Sequence, residues 1–345
     1  MCKTASMSLK IHFTLTLVFF SVLLHGQDDT IRLVNKDVLV GELKKMERSV
    51  ITFKTKYSDS DFKIKYHEVL EVHSDRIFIV AFSDGTRITS SLQSVVNSDR
   101  RIIINYGVIS KEHSLEDIVF LEPLGKSLLD NLTINVDLGL TLTKANNLKQ
   151  FTINVNGSYL AKKWRANALF KTVTSRQDGA ADVDRMDGEA GFNWYLPNDW
   201  FLDFNAIYLS NDEQLLDLRS TYQIGVGYFF LHTNSLYFGA SVGLAYTTEV
   251  FKSDEPNASS TEAYLGVGFN KYDIGDLSTS TTLLYYPSLS DSGRHRVNLT
   301  SNLKYDLPWD FYIKFSLTYN YDSKPTAGAS DSDYVFTTSF GWEFN

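Results

Sequence analysis

The chain has 345 residues, 43% hydrophobic and 14% aromatic, with 20 Gly and only 6 Pro, enough for one large domain or for a large and a small one. Its formal charge of -8 argues against a dedicated nucleic-acid binder. Cys2 is the one cysteine, and it falls in the leader read below, which excludes a disulfide, a thiol nucleophile or a cysteine metal site in the mature chain.

At the start, Lys3 and Lys10 precede "IHFTLTLVFFSVLL" and "HGQDD" follows. A basic n-region, a short apolar core and a small residue before a polar start predict an export signal over 1–26, cut near Gly26 or Gln27. The alternative is a membrane anchor, for which the run is short. Losing Lys3 and Lys10 takes the charge from -8 to -10.

From about Gln27 to Leu124 the chain reads as short strands, and the second half echoes the first. With a shift of 49 residues, Asn35, Leu39, Leu43 and Val69 fall on Asp84, Ile88, Leu92 and Ile118. Two small β repeats, 27–76 and 77–125, are the simplest reading. Their strand and turn order resembles Sm-like or SH3-like small barrels, modules that bind peptides, partners or a neighbour rather than catalyse. His67, His73 and His113 lack a second histidine at ligand spacing, so no metal site is expected.

Beyond "EPLGKSLLDN" the pattern changes to long alternating strands over 131–345. Leu132, Ile134, Val136, Leu138, Leu140 and Leu142 share one face, while Thr133, Asn135, Asp137, Gly139, Thr141 and Thr143 share the other. The scheme continues through about twelve segments to Tyr334–Phe344, each long enough for the roughly 9 to 11 residues that cross a bilayer when tilted. Short turns such as "AKK", "LPND", "HTNS" and "DLP" alternate with long polar loops such as "TSRQDGAADVD" and "DSKPTAGASDSD". The predicted fold class is therefore all-β: an antiparallel transmembrane β-barrel of about 12 strands, preceded by two small periplasmic β-barrel-like repeats. In hydrocarbon every backbone group must be paired, so the last strand is expected to close on the first.

Trp164, Trp194, Trp200, Trp309 and Trp342 are the five tryptophans, and this register puts each at the short-turn end of its strand on the apolar face. With Phe344 they form a predicted membrane-interface belt. The closing "FTTSFGWEFN" reads as the seam strand, and it is similar to the C-terminal aromatic signal that barrel-assembly machinery recognises. The opposite face carries Arg165, Arg185, Asp187, Glu189, Asp217, Arg219, Arg296 and Lys314, together with Asp137, Lys171, Asp203, Glu262, Lys304 and Glu343. These charges either pair into a plug or line a narrow water path.

The stretches "NYDSKPTAGASDSDYVFTTSFGWEF" (320–344) and "LYYPSLSDSGRHRVNLTSNLKYDL" (284–307) resemble the bacterial domain of unknown function 481 family, also described as salt-induced outer membrane protein. The shared features are Tyr321 to Pro325, the acidic Asp331 and Asp333, and a final aromatic strand; Asn345 departs from an ending on the aromatic itself. The resemblance implies a fold and an outer-membrane location, and brings no reaction, cofactor or catalytic residue.

Catalysis finds little footing in the residues. His295 stands near Ser288, Ser290 and Ser292, but these lie in a loop and no His-x-Ser-Asn-Gly segment is present. Gly225 with Gly227 and Gly266 with Gly268 fall mid-strand and read as space-making positions of the lumen, not as phosphate loops. Acidic loop residues, including Asp178, Asp182, Asp254 and Glu255, could bridge divalent cations to lipopolysaccharide but lack a defined calcium-site spacing. The expectation is a non-enzymatic outer-membrane barrel whose role is structural, envelope-stress-related or weakly channel-forming. A specific small-solute channel is the rival and an envelope lipid hydrolase the third reading. The expected partners are outer-membrane lipid and lipopolysaccharide, barrel-assembly machinery and a periplasmic protein, with no cofactor.

Overall fold

The computed structural model describes residues 28–96, 98–125, 127–144, 147–179, 182–212, 216–252, 256–274, 276–325 and 331–342. The predicted signal segment 1–26 lies outside these residues, as do Asp254, Glu255, Glu343, Phe344 and Asn345.

The first nine strands form one antiparallel sheet: β1 (Asp29–Leu33), β2 (Val38–Glu47), β3 (Val50–Lys54), β4 (Phe62–Lys65), β5 (Val69–Phe82), β6 (Arg87–Ser94), β7 (Arg101–Tyr106), β8 (Ile109–Ser114) and β9 (Ile118–Pro123). Their order is β4-β3-β2-β1-β5-β6-β7-β8, with β9 pairing both β2 and β5. Single-turn 3-10 helices begin at Tyr66 and Leu115, 49 residues apart, so the element order repeats at the offset seen in the sequence. The two halves are not separate bodies. Strand β5 runs unbroken through residues 76 and 77, and Ile31, Phe53, Tyr66, Phe78, Leu92 and Leu115 belong to one buried cluster. The Tyr66 hydroxyl donates across the repeat to the Leu115 carbonyl at 2.8 Å. Buried Asp29 accepts from the Leu43 amide (2.6 Å) and the Ser74 hydroxyl (2.5 Å) and pairs with Arg76, which satisfies a charge that would otherwise be costly to bury.

The twelve later strands form a second antiparallel sheet in strict chain order: β10 (Leu132–Thr143), β11 (Leu148–Leu160), β12 (Trp164–Arg176), β13 (Val183–Tyr195), β14 (Trp200–Asn211), β15 (Leu216–His232), β16 (Leu236–Phe251), β17 (Ala258–Ile274), β18 (Leu277–Pro287), β19 (His295–Asp306), β20 (Phe311–Asp322) and β21 (Ser332–Trp342). One parity holds across all of them. Starting from Val136 on β10, the partners run through Val155, Phe170 and Gly188, and farther along Val242 meets Val226 and Leu265, and Leu317 meets Phe336. Cross-strand partners share a face, so the sheet has one continuous apolar side. Its other side is concave, because Asp203 on β14 reaches Tyr264 on β17 and Gln223 on β15 reaches Tyr286 on β18, each three strands away.

Among the described residues β21 pairs with β20 and β10 with β11, and β10 is exposed along its whole length. Among the described residues no helix is long and apolar enough to cross a membrane, which leaves crossing by strands untouched.

Candidate functional site

The concave face of β14 to β19 holds a connected polar network. Glu262, fully buried, receives the Arg296 guanidinium through both carboxylate oxygens, with Nε to Oε1 at 2.8 Å. The Thr247 hydroxyl donates to the same carboxylate and also meets Thr221. The Arg296 guanidinium lies 4.9 Å over the Tyr286 ring, whose hydroxyl accepts from Gln223 at 2.6 Å. Arg219 pairs with buried Glu249 at 2.6 Å, and Arg294 joins Glu249 to Asp322. A buried ion pair survives only when its remaining lone pairs and protons are used, and here hydroxyl and amide groups use them.

Beside this network the Tyr264 hydroxyl donates to Asp203 Oδ2 at 2.5 Å, while Asp203 Oδ1 is buried with no protein hydrogen-bond donor. Tyr264 fits because the facing positions are glycines. A Cβ at Gly225 would stand 1.8 Å from the Tyr264 hydroxyl oxygen, too close for any side chain. Gly227 similarly leaves room for the Phe201 ring, and Gly266 abuts Ser241, whereas nothing approaches Gly268 within 4 Å.

The charged residues singled out in the sequence do not converge on one point. Arg219 and Arg296 enter the network. Arg185 pairs with Asp187 at 2.8 Å, farther round the inner face. Glu189 stands between Leu169 and Ile207 in the inner row, and Lys314 sits opposite Lys304. Asp217 falls at the register shift between Leu216 and Leu218 and is exposed. Arg165 donates to Ser158 at 3.4 Å at the short-turn end. The tryptophans Trp164, Trp194, Trp200 and Trp342 lie on the outer parity at that same end, Trp164 opposite Trp194 and Trp342 opposite Phe311. Trp309 is 83% exposed in a 3-10 turn before β20, at a left-handed φ of 61°, rather than on the strand. His295 bonds Tyr285 through Nδ1 at 2.9 Å, and Ser290 accepts from the Thr261 amide.

Sequence reasoning missed a second region. The N-terminal unit rests on the short-turn end of the large sheet, touching it with the β2–β3 and β5–β6 hairpins and β9. The Ser49 hydroxyl donates to the Asn234 carbonyl (2.9 Å), Arg87 Nε to the Lys162 carbonyl (3.1 Å), and the Tyr237 hydroxyl to the Val119 carbonyl (3.5 Å). Arg87 lies 4.2 Å over the Tyr195 ring and Arg48 lies 5.5 Å over Tyr272. Gly85 is required here twice over: its φ is +78°, and a Cβ would stand 2.2 Å from the Asp199 amide nitrogen. The two-residue turn Arg48–Ser49 has φ of 54° and 61°, left-handed values that match a tight hairpin but disfavour non-glycine residues. Its side chains are the ones that reach the large sheet. Between the two bodies lies a cavity of about 220 Å³.

Burial sets the ionisation of the groups around it. Burial raises the Glu122 carboxyl above the usual range, despite the lowering influence of Arg165, Lys45 and Arg87. For Glu47 burial works in the same direction, but the Lys45 hydrogen bond and charge, helped by Arg48 and Arg165, overcome it and hold the carboxyl low. Burial also lowers the Arg87 guanidinium, and nearby Arg165 adds to that. Among the described residues no group of three or more His, Cys, Asp or Glu is placed to hold a metal ion.

Residues 136–344 match the model of a family described as protein of unknown function, DUF481. No curated protein matches the chain.

Proposed function

The chain belongs to the DUF481 family, and from that premise we propose that it is an outer-membrane β-barrel protein with a structural, envelope-stabilising role, its interior largely filled by its own side chains. The single observation that carries the reading is the network joining Glu262, Arg296, Tyr286 and Gln223 across four strands of the concave face. A barrel of this strand number has an interior that side chains can fill or leave as a narrow path, and the side chains that pair across β14 to β19 support the filled reading. The unbroken apolar parity of the outer face supports contact with lipid. Placement of the short turns and the N-terminal unit at one end supports a periplasmic location for that unit. In this reading outer-membrane lipid and lipopolysaccharide surround the barrel, barrel-assembly machinery inserts it, and the protein performs no turnover.

A small-solute channel is the second reading, because the inner faces of β10 to β13 are different. Asn135 and Asp137 are exposed there, and Lys171 and Asp187 face one another beside them. Planar-bilayer recording of the purified full-length protein separates the two. Silence is expected; discrete, ion-selective steps would overturn the filled-barrel reading in favour of the channel.

A further inference from the structure

We propose that the cavity between the N-terminal unit and the short-turn end of the large sheet binds a small organic oxyanion, a carboxylate or phosphate ester with an apolar flank. This site stands apart from the question of whether the lumen conducts.

Three arginines enter the cavity wall from three elements: Arg48 from the β2–β3 turn, Arg87 from β6 and Arg165 from β12. None forms an ion pair among the described residues. Two carboxylates also line the wall, but both are taken. Glu47 pairs with Lys45 at 2.5 Å, and Asp199 receives His232 Nδ1 at 2.5 Å. Among the described residues their named partners are aromatic faces, the Lys162 carbonyl and the Ser158 hydroxyl, while Glu47 and Glu122 act on them from beyond ion-pair distance. Arg87 and Arg165 are half-buried and Arg48 is exposed, and guanidinium forks match carboxylate and phosphate oxygens better than any other side chain does. An arriving oxyanion would give these guanidinium groups a direct ion-pair partner. Burial and the neighbouring Arg165 act against the charged form of Arg87, while Tyr195, Tyr237 and Glu122 favour it.

The rest of the wall sets the size and character of the ligand. Tyr195, Phe229 and Tyr237 also line the cavity and give it an apolar flank. The 220 Å³ corresponds to roughly seven waters at ~30 Å³ each, below the ~300 Å³ at which drug-sized pockets begin. A single ring with one acidic group matches this size. The cavity is also built on strain, since the left-handed Arg48 and Asp199 (φ 54° and 59°) both line it, and such strain gathers at ligand sites.

The test is calorimetric titration of the full-length protein, folded in detergent micelles, with benzoate, phenyl phosphate and uncharged benzyl alcohol. Saturable binding of benzoate or phenyl phosphate at one per chain is expected, and the acid that binds more tightly tells a carboxylate source from a phosphate one. Arg87→Gln and Arg165→Gln should each weaken it by about tenfold or more, whereas Arg101→Gln, whose guanidinium is paired to Glu112 on the surface, should leave it unchanged. Arg87→Lys keeps the charge and should retain measurable binding, which separates loss of the cation from loss of the docked interface. No saturable binding of either acid at millimolar concentration, equal affinity in all the variants, or equal binding of benzyl alcohol would overturn the proposal.

Discussion

Gly225 and Tyr264 occupy one volume from two strands. A Cβ at Gly225 would stand 1.8 Å from the tyrosine oxygen and 2.7 Å from its ring carbon, and one at Gly243 would meet the same ring at 2.6 Å and the Ile224 carbonyl oxygen at 2.1 Å. The tyrosine cannot swing away freely, because its hydroxyl is held by Asp203 at 2.5 Å. Gly225→Ala should therefore cost ~1 to 3 kcal/mol by overpacking. Tyr264→Ala should cost more, since it removes an aromatic side chain packed against Tyr286. The informative quantity is their coupling: with the ring gone, the added methyl loses its two nearest clashes and keeps only the Asp203 Oδ1 contact at 2.9 Å, so the double variant should be more stable than the sum of the single losses by about 0.5 to 3 kcal/mol. Urea unfolding of the four proteins in micelles reads it directly. Additive losses would mean that the ring does not fill the space the glycines leave.

At the scale of a strand, parity decides what a substitution meets. On β16, Val242 stands on the outer row between Val226 and Leu265, while Ser241 stands on the inner row between Gly227 and Gly266. Arginine at Val242, or at Ala166 on β12, should cost ~2 to 4 kcal/mol in a bilayer if the position lies near the midplane. Arginine at Ser241 should cost much less, and unfolding from lipid vesicles compares them; equal tolerance would show the face assignment to be inverted. This parity was legible in the sequence because it is repeated in every segment, so that an error in one strand would be exposed by its neighbours. Gly225 with Gly227 could be read as space-making from their mid-strand place. What filled that space could not be read. Tyr264 lies three strands from Asp203, and only the register of every intervening ladder brings them together. Arg87 and Tyr195 were out of reach for a stronger reason: they belong to separate sheets, and no periodicity within either sheet encodes how the two meet. Trp309 was misplaced because its side chain follows a left-handed turn rather than the alternation of β20.

For the whole molecule, the question is whether the two bodies unfold together. The N-terminal unit has a core of its own, a single cluster that includes Ile31, Phe53, Tyr66, Phe78 and Leu115, all at most 1% exposed, and none of these residues lines the shared cavity. The named polar ties between the bodies are three hydrogen bonds, each worth about 1 kcal/mol net, together with two cation–ring contacts of roughly 0.5 to 2 kcal/mol. Some of these bonds are long, with Tyr237 to Val119 at 3.5 Å, so these polar ties add only a few kcal/mol. The large sheet rests on a different footing, a ladder that runs through twelve strands and, in lipid, a surrounding that penalises every broken backbone bond. The N-terminal unit should therefore open first. Urea titration of the full chain in micelles, followed at once by far-ultraviolet circular dichroism and by tryptophan fluorescence, is expected to show two transitions. All five tryptophans lie in the large sheet or its turns, so fluorescence should report mainly the second. Phe78→Ala, which removes a fully buried ring, should move the first transition by ~3 to 5 kcal/mol and leave the second in place. A single transition that shifts as a whole, seen equally by both probes, would show instead that the cap and the sheet hold or fail as one unit.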